Sequence, residues 1–436
     1  MVASLSLEHI IDGIASVFDE QLDSRDQEKC QYRISDAGLA AFSVFYTQSP
    51  SFLSHQRDMA KRKGRSNAQS LFGLERIPTD THIRTMLDGI DADALSVVYR
   101  HIIENLQFAG ELESFQVHAG GEAFYLLAMD GTEFYSSAAI GCEQCCTKER
   151  QGKLRYHHNM IPPVLVHPDK KEVLSLEPEF IVPQDGDAKQ DCESKAIKRW
   201  LQNKAPAYPL DKVIVLCDDL HCHQPQCQAV LARGWDFIFV CKPESHQTLY
   251  EHLASGPIES FSARQFNGRF YEIHQYRFAH DLPLHDTDDT LKLDWCEFSI
   301  YREDNLELLY KNSFATSLSI SKSNVKSLVQ WGRSRWKTEN ENNNTLKTKG
   351  YHLEHNYGHG HAGLANLLVS LLLLAFLCHT LFDLFDKAYQ AIRQSLGTRR
   401  DFFNNLRSLL IFNLFDSWSH LLDFMLDGLE IVFDSS

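Results

Sequence analysis

Two short, wholly apolar runs separated by one helix-length segment constrain this chain more than any other feature. Val213–Cys217 (VIVLC) and residues 237–241 (FIFVC) have the length of strands and carry no charged residue. Between them, residues 224–233 read as a short helix closed by Gly234. Strand, helix and strand so closely spaced form a βαβ unit, with parallel neighbours joined by a right-handed crossover. Sites in open α/β sheets lie beyond the carboxyl ends of strands. The first run is followed by an acid, Asp218. A third run, residues 123–129 (AFYLLAM), is nearly all apolar, as a strand buried on both faces should be, and it also ends at an acid, Asp130.

Residues 331–360 (WGRSRWKTENENNNTLKTKGYHLEHNYGHG) supply a third acid. Arg335 and Glu339 are four apart and share a face on a helix. Lys347 falls roughly 80° round that helix from Glu339, at about 100° per residue. One acid with basic neighbours suits a carboxylate that holds a metal ion beside a phosphate backbone. A solvated helix with i,i+4 ion pairs has the same pattern, and the two upstream acids favour the first reading. Asp219 adjoins Asp218, but neighbours on an extended chain face opposite ways. Glu341 lies about 200° round from Glu339. Asp130, Asp218 and Glu339 are therefore the expected triad.

The run Arg335-Trp336-Lys337-Thr338-Glu339 resembles the Arg-x3-Glu core of the YREK-signature group of bacterial insertion-sequence transposases. Those are DDE enzymes with an RNase H-like catalytic domain. The resemblance extends back through MDGTEFYSS and CDDLHCHQP and covers roughly residues 77–363; it is specific as an ordered set and weak motif by motif. The Tyr expected three before the Arg is Gly332, with Trp331 adjacent, and the Lys expected seven after the Glu is Leu346, with Lys347 one place later. The resemblance implies an α/β fold in which an RNase H-like domain, a mixed sheet with flanking helices, carries a β-rich insertion between helical N- and C-terminal regions. It implies two Mg²⁺ (or Mn²⁺) ions on Asp130, Asp218 and Glu339, with Arg335 and Lys347 on DNA. The implied partner is double-stranded DNA, both the terminal inverted repeats of the element and the target, bound by a homodimer in the active complex. The implied reaction cleaves the element ends and joins the freed 3′-hydroxyls to target DNA. The weighed alternatives are an RNase H-like DNA-binding protein that has lost nuclease activity and, further off, a membrane-associated protein.

A chain of 436 residues is expected to form roughly two to four domains. The net charge of −15 runs against phosphate binding, but the acidity is concentrated at the two ends. Residues 1–115 read mainly as helices and as a DNA-binding region. Their most basic run contains Arg57, Lys61, Arg62, Lys63 and Arg65, either a DNA arm or a solvated surface. Residues 116–243 are expected to be the first part of the catalytic domain. That part includes strands near residues 115–118, 154–158 and 164–167, a polar turn after Asp130 and a helix over 191–202. Residues 244–318 read as the β-rich insertion, 319–382 as the second catalytic part with the Glu339 helix, and 383–436 as a C-terminal helical region. Residues 364–382 (LANLLVSLLLLAFLCHTLF) are long enough to span a bilayer, but a helix buried all round in a large domain looks the same and is the expectation. The N-terminus lacks a basic segment followed by an apolar run, and eleven Cys without a scaffold pattern suit reduced thiols. The expected location is cytoplasmic, on the nucleoid, with no membrane.

Cys142 and Cys145 have a zinc-ligand spacing, Cys146 adjoins them, and a histidine of the pair His157–His158 can reach them across a hairpin. A structural Zn²⁺ on Cys142, Cys145, His157 and His158 is weighed against free thiols at a strand turn, with Cys192 or His167 as stand-ins for a missing ligand. His352, His355, His359 and His361 form another cluster, with His355 and His359 spaced i,i+4 as helix metal ligands often are; Gly358 and Gly360 argue against a continuing helix, so a turn near DNA is the expectation and a metal site the alternative. His221, Cys222, His223 and Cys227 read as loop residues near the active site.

Overall fold

The structure, a computed structural model, describes residues 5–23, 25–26, 30–59, 66–183 and 191–432. Its strands, in chain order, begin with β1 (Gln116–Ala119), β2 (Glu122–Ala128), β3 (Thr132–Ser137), β4 (Cys146–Arg150) and β5 (Lys153–Ile161). They continue with β6 (Val164–Val166), β7 (Leu174–Ser175), β8 (Glu179–Ile181), β9 (Val213–Cys217) and β10 (Asp236–Val240). The last four are β11 (Glu259–Phe266), β12 (Tyr271–Pro283), β13 (Lys292–Arg302) and β14 (Leu308–Thr316). The chain is a mixed α/β fold around a mixed sheet of order β11-β12-β13-β14-β10-β9-β2-β6-β7, with β1 paired on β2.

The apolar runs make the centre of that sheet. β9 is buried along its whole length and pairs parallel with β10 on one side and β2 on the other. A strand covered on both faces has no solvent side on which to place polar residues, hence the unbroken VIVLC. The connecting helix, Gln224–Ala232, ends where Gly234 takes φ 77°, a left-handed turn open to glycine.

The β-rich segment is not a separate sheet. β14 pairs antiparallel with β10, and β11–β14 extend the central sheet as a meander. Its outer strand, β11, is mostly exposed and polar. The stretch after Asp130, expected as a polar turn, is β3 instead. Thr132 and Phe134 are buried while Glu133 between them and Tyr135 after them are half-buried, the period of a half-buried strand. β3, β5, β4 and β8 form a second, smaller sheet. The helix expected over 191–202 is Glu193–Arg199 followed by a π-helical turn, Trp200–Lys204.

The apolar helix Leu364–Phe385 lies inside the fold, with residues 364–382 all buried. Among the described residues it is the one helix long and apolar enough to cross a membrane, and 89% of its most apolar window is buried. The polar residues interrupting it have interior partners. Asn366 donates to Gln144 Oε1 at 2.7 Å, and His379 Nδ1 is 2.7 Å from the Tyr351 hydroxyl. It packs against the helix Ile34–Tyr46, and Tyr99 donates to Ser370 O at 2.6 Å. N- and C-terminal helices join around it: Asn67 donates to Leu410 O (2.9 Å) and Trp418 to Leu71 O (2.9 Å). All eleven cysteines are free.

Candidate active site and a Cys/His cluster

The register of the parallel pair β2·β9 places Ala128 beside Leu216. Two residues further on, Asp130 and Asp218 leave adjacent strand ends together. Asp218 accepts from Leu220 N at 3.1 Å. Asp219 is turned to other work: it accepts from Lys242 N (2.6 Å) and Ser245 Oγ (2.5 Å) and so holds the loop after β10.

Glu339 reaches the same end of the sheet from a helical segment. The α-helix Val325–Arg333 lies on the sheet, and Gly332 permits that closeness. A Cβ there would stand 2.8 Å from Phe314 and 2.9 Å from Ile238. After a turn, Thr338–Asn343 is π-helical and Asn344–Thr348 returns to α. Arg335 Nη2 lies 2.7 Å from Glu339 Oε1, and Arg335 Nη1 lies 3.3 Å from Asp130 Oδ2. The expected shared face of Arg335 and Glu339 is therefore present. Between Glu339 and Lys347 the segment is π-helical before it returns to α, so it is not the continuous α-helix assumed for their angular count; Lys347 lies in the α turn that follows. Its Nζ pairs with Glu354 at 2.9 Å. Glu341 and Lys349 line a separate cleft with Arg393 and Arg399.

A fourth carboxylate, Glu193, joins the acids. It opens the helix Glu193–Arg199, and its Oε2 is 3.8 Å from His221 Nε2, which is 3.7 Å from Asp218 Oδ1. Gly131 leaves it room, since a Cβ there would meet Glu193 Oε1 at 2.1 Å. Burial pushes Asp130 up to about 6; Arg335 opposes this, while Asp218, Glu339 and Glu193 add to it. Burial raises Glu193 too, with Asp218 adding. Burial lowers His221. Nothing in the sequence marks Glu193 beyond an acid in a first helical turn; its neighbours come from elsewhere in the chain.

Among the described residues, two sets bring three or more possible ligand atoms within 4.8 Å of one another, and both are Cys/His sets that could hold a metal such as zinc. The first is Cys142, Cys145, His158 and His359. His157 does not belong, because successive residues of β5 face opposite ways. His167 accepts from Asp169 N (3.1 Å), and Cys192 sits exposed before its helix. The further member of the set is His359, from the turn where four histidines were seen in sequence. Of the others, His355 stacks edge-on against Tyr357 (4.7 Å), and His361 N donates to Asp88 (2.8 Å). The second set, Cys222, Cys241 and His246, is buried beside Asp219.

Arg57 is exposed, with Nε 3.5 Å from Asp58; Lys61, Arg62, Lys63 and Arg65 lie outside the described residues. No family model matches the chain, and no curated protein sequence matches it.

Proposed function

We propose that the chain is a DDE-type DNA transposase that cleaves insertion-sequence ends and joins the 3′-hydroxyls to target DNA. In this reading the RNase H-like domain comprises residues 116–243 and 319–382, interrupted by the β-rich segment. The observation that supports the reading is that one guanidinium links acids from distant segments at one end of the sheet, their carboxylate oxygens not gathered within 4.8 Å of one another. Asp130 and Asp218 leave neighbouring parallel strands, and Arg335 ties Asp130 to Glu339. All-oxygen donors suit a hard cation, and three carboxylates (Asp130, Asp218 and Glu339) around the one guanidinium of Arg335 leave excess negative charge for it. Mg²⁺ bound there would polarise the scissile phosphate and lower the pKa of the attacking water.

The chain's own groups do the rest. Asp130 and Asp218 stand on rigid strand ends, which fixes their separation. Glu339 is half-exposed and held by Arg335, so in this reading a bound cation draws it from Arg335 toward the strand ends. Arg335 offers a planar fork to a phosphate oxygen once Glu339 leaves it. Double-stranded DNA is the partner, the nucleoid the place of action, and a homodimer the form that pairs two element ends. The test is a supercoiled plasmid carrying this gene with its flanking DNA, incubated with the full chain and Mg²⁺. Mapped breaks at a pair of inverted repeats are the expected result. A folded chain that leaves this plasmid intact in Mg²⁺ and in Mn²⁺ contradicts the reading.

A further inference from the structure

The Cys/His set has the edges of a coordination tetrahedron. Cys142 Sγ and Cys145 Sγ are 3.8 Å apart. His158 Nε2 lies 3.4 Å from the first sulfur and 3.3 Å from the second, and His359 Nε2 is 3.4 Å from Cys145 Sγ. Zinc–sulfur bonds of about 2.3 Å and zinc–nitrogen bonds of about 2.0–2.1 Å at tetrahedral angles give S···S of about 3.8 Å and S···N of about 3.5 Å. The sulfur separation is far beyond the ~2.05 Å of a disulfide.

The surroundings fit the same centre. Cys142 N donates to Cys145 Sγ at 3.4 Å and Cys145 N to Cys142 O at 3.1 Å, a tight knuckle that aims backbone N–H at sulfur. The His359 ring is held by packing on Tyr135 (centroids 4.2 Å apart) and on His158 (5.0 Å). Cys145, His158 and His359 are buried. Without an ion, two thiols and two ring nitrogens point at one another in a buried space with few good donors among them. A single cation satisfies all four.

We infer that Cys142, Cys145, His158 and His359 bind one Zn²⁺ ion that clamps the turn after the Glu339 segment to the small sheet that follows Asp130. β3 begins two residues after Asp130, and His158 lies on β5 paired beside it. His359 lies in the turn that carries the chain from Asn344–Thr348 to the helix Leu364–Phe385. The ion joins residues more than two hundred positions apart and closes a long loop, where a cross-link constrains the unfolded chain most. The knuckle is already tethered to this turn, since Gln144, between the two cysteines, accepts from Asn366 and donates to Ala362 O. The site does not depend on the transposase reading.

The test is zinc content of the full chain, purified from zinc-supplemented cells and dialysed against zinc-free buffer, with circular dichroism as a fold check. Wild type should carry about one zinc per chain. Cys142→Ser with Cys145→Ser, and His359→Ala alone, should lose it, whereas His157→Ala should keep it. Should the cysteine variant misfold, Co²⁺ reconstitution of the wild type still decides. The inference expects the visible bands of tetrahedral cobalt with thiolate-to-metal charge transfer. A folded wild type with neither zinc nor that spectrum overturns the site. Zinc retained in both cysteine and His359 variants overturns it as well, by placing the metal on the Cys222 set, and so does equal loss in His157→Ala and His359→Ala.

Discussion

Arg335 and Glu339 are joined by a 2.7 Å ion pair one turn apart, and the other arm of the same guanidinium reaches Asp130 at 3.3 Å. A planar, permanently charged fork thus stands among the acids. Arg335→Lys keeps the charge and loses the second contact. Single-turnover DNA cleavage should fall by about tenfold or more, with end binding weakened less. If both assays are unchanged, Arg335 serves only as a partner for Glu339.

Glu193 adds a negative charge beside Asp218 and Asp130. Glu193→Gln removes that charge and keeps the shape. The Asp130 carboxyl, followed by NMR in metal-free buffer, should then titrate at lower pH. The Mg²⁺ concentration for half-maximal cleavage should rise several-fold. An unmoved Asp130 titration would show that Glu193 is electrostatically remote from it.

At Gly332 no side chain fits, because an added Cβ would stand 2.8 Å from Phe314 and 2.9 Å from Ile238. Gly332→Ala should cost about 1–3 kcal/mol in urea unfolding through overpacking of the helix on the sheet. Unaltered stability would mean that the helix sits further out than described.

His55 is buried and held by Ser43 (2.8 Å), Ser49 (3.1 Å) and Thr47 (3.3 Å), and burial lowers it to about 3. Its folded value lies below the unfolded one near 6.5. The contribution is therefore present above about pH 6.5 and is lost as pH falls from there toward 3. Between about pH 7 and pH 5 the wild type should lose about 2 kcal/mol more stability than His55→Gln. Parallel pH profiles for the two proteins would refute a neutral buried imidazole.

Much of the sheet was legible because its centre is strongly patterned. VIVLC and FIFV around a Gly-closed helix leave little choice, and the acids at the strand ends follow from the same reading. β3 was missed because its polar residues mask an inward Thr132 and Phe134. The π turn at Thr338–Asn343 was invisible because side-chain periodicity does not record one extra residue in a turn. His359 and Glu193 reach their sites only through tertiary closure, from about two hundred and about sixty residues away in sequence. Likewise, nothing local tells β14 to pair with β10, so the strand-rich segment looked separate.

The most direct test of the account is Mg²⁺-dependent strand cleavage by the wild type beside Asp130→Ala, Asp218→Ala and Glu339→Ala. Folding and end binding are checked for each variant. Each variant should bind the element ends and cleave at least about a hundredfold more slowly. Near-wild-type cleavage by any one of the three would contradict the assignment of that residue and the triad with it.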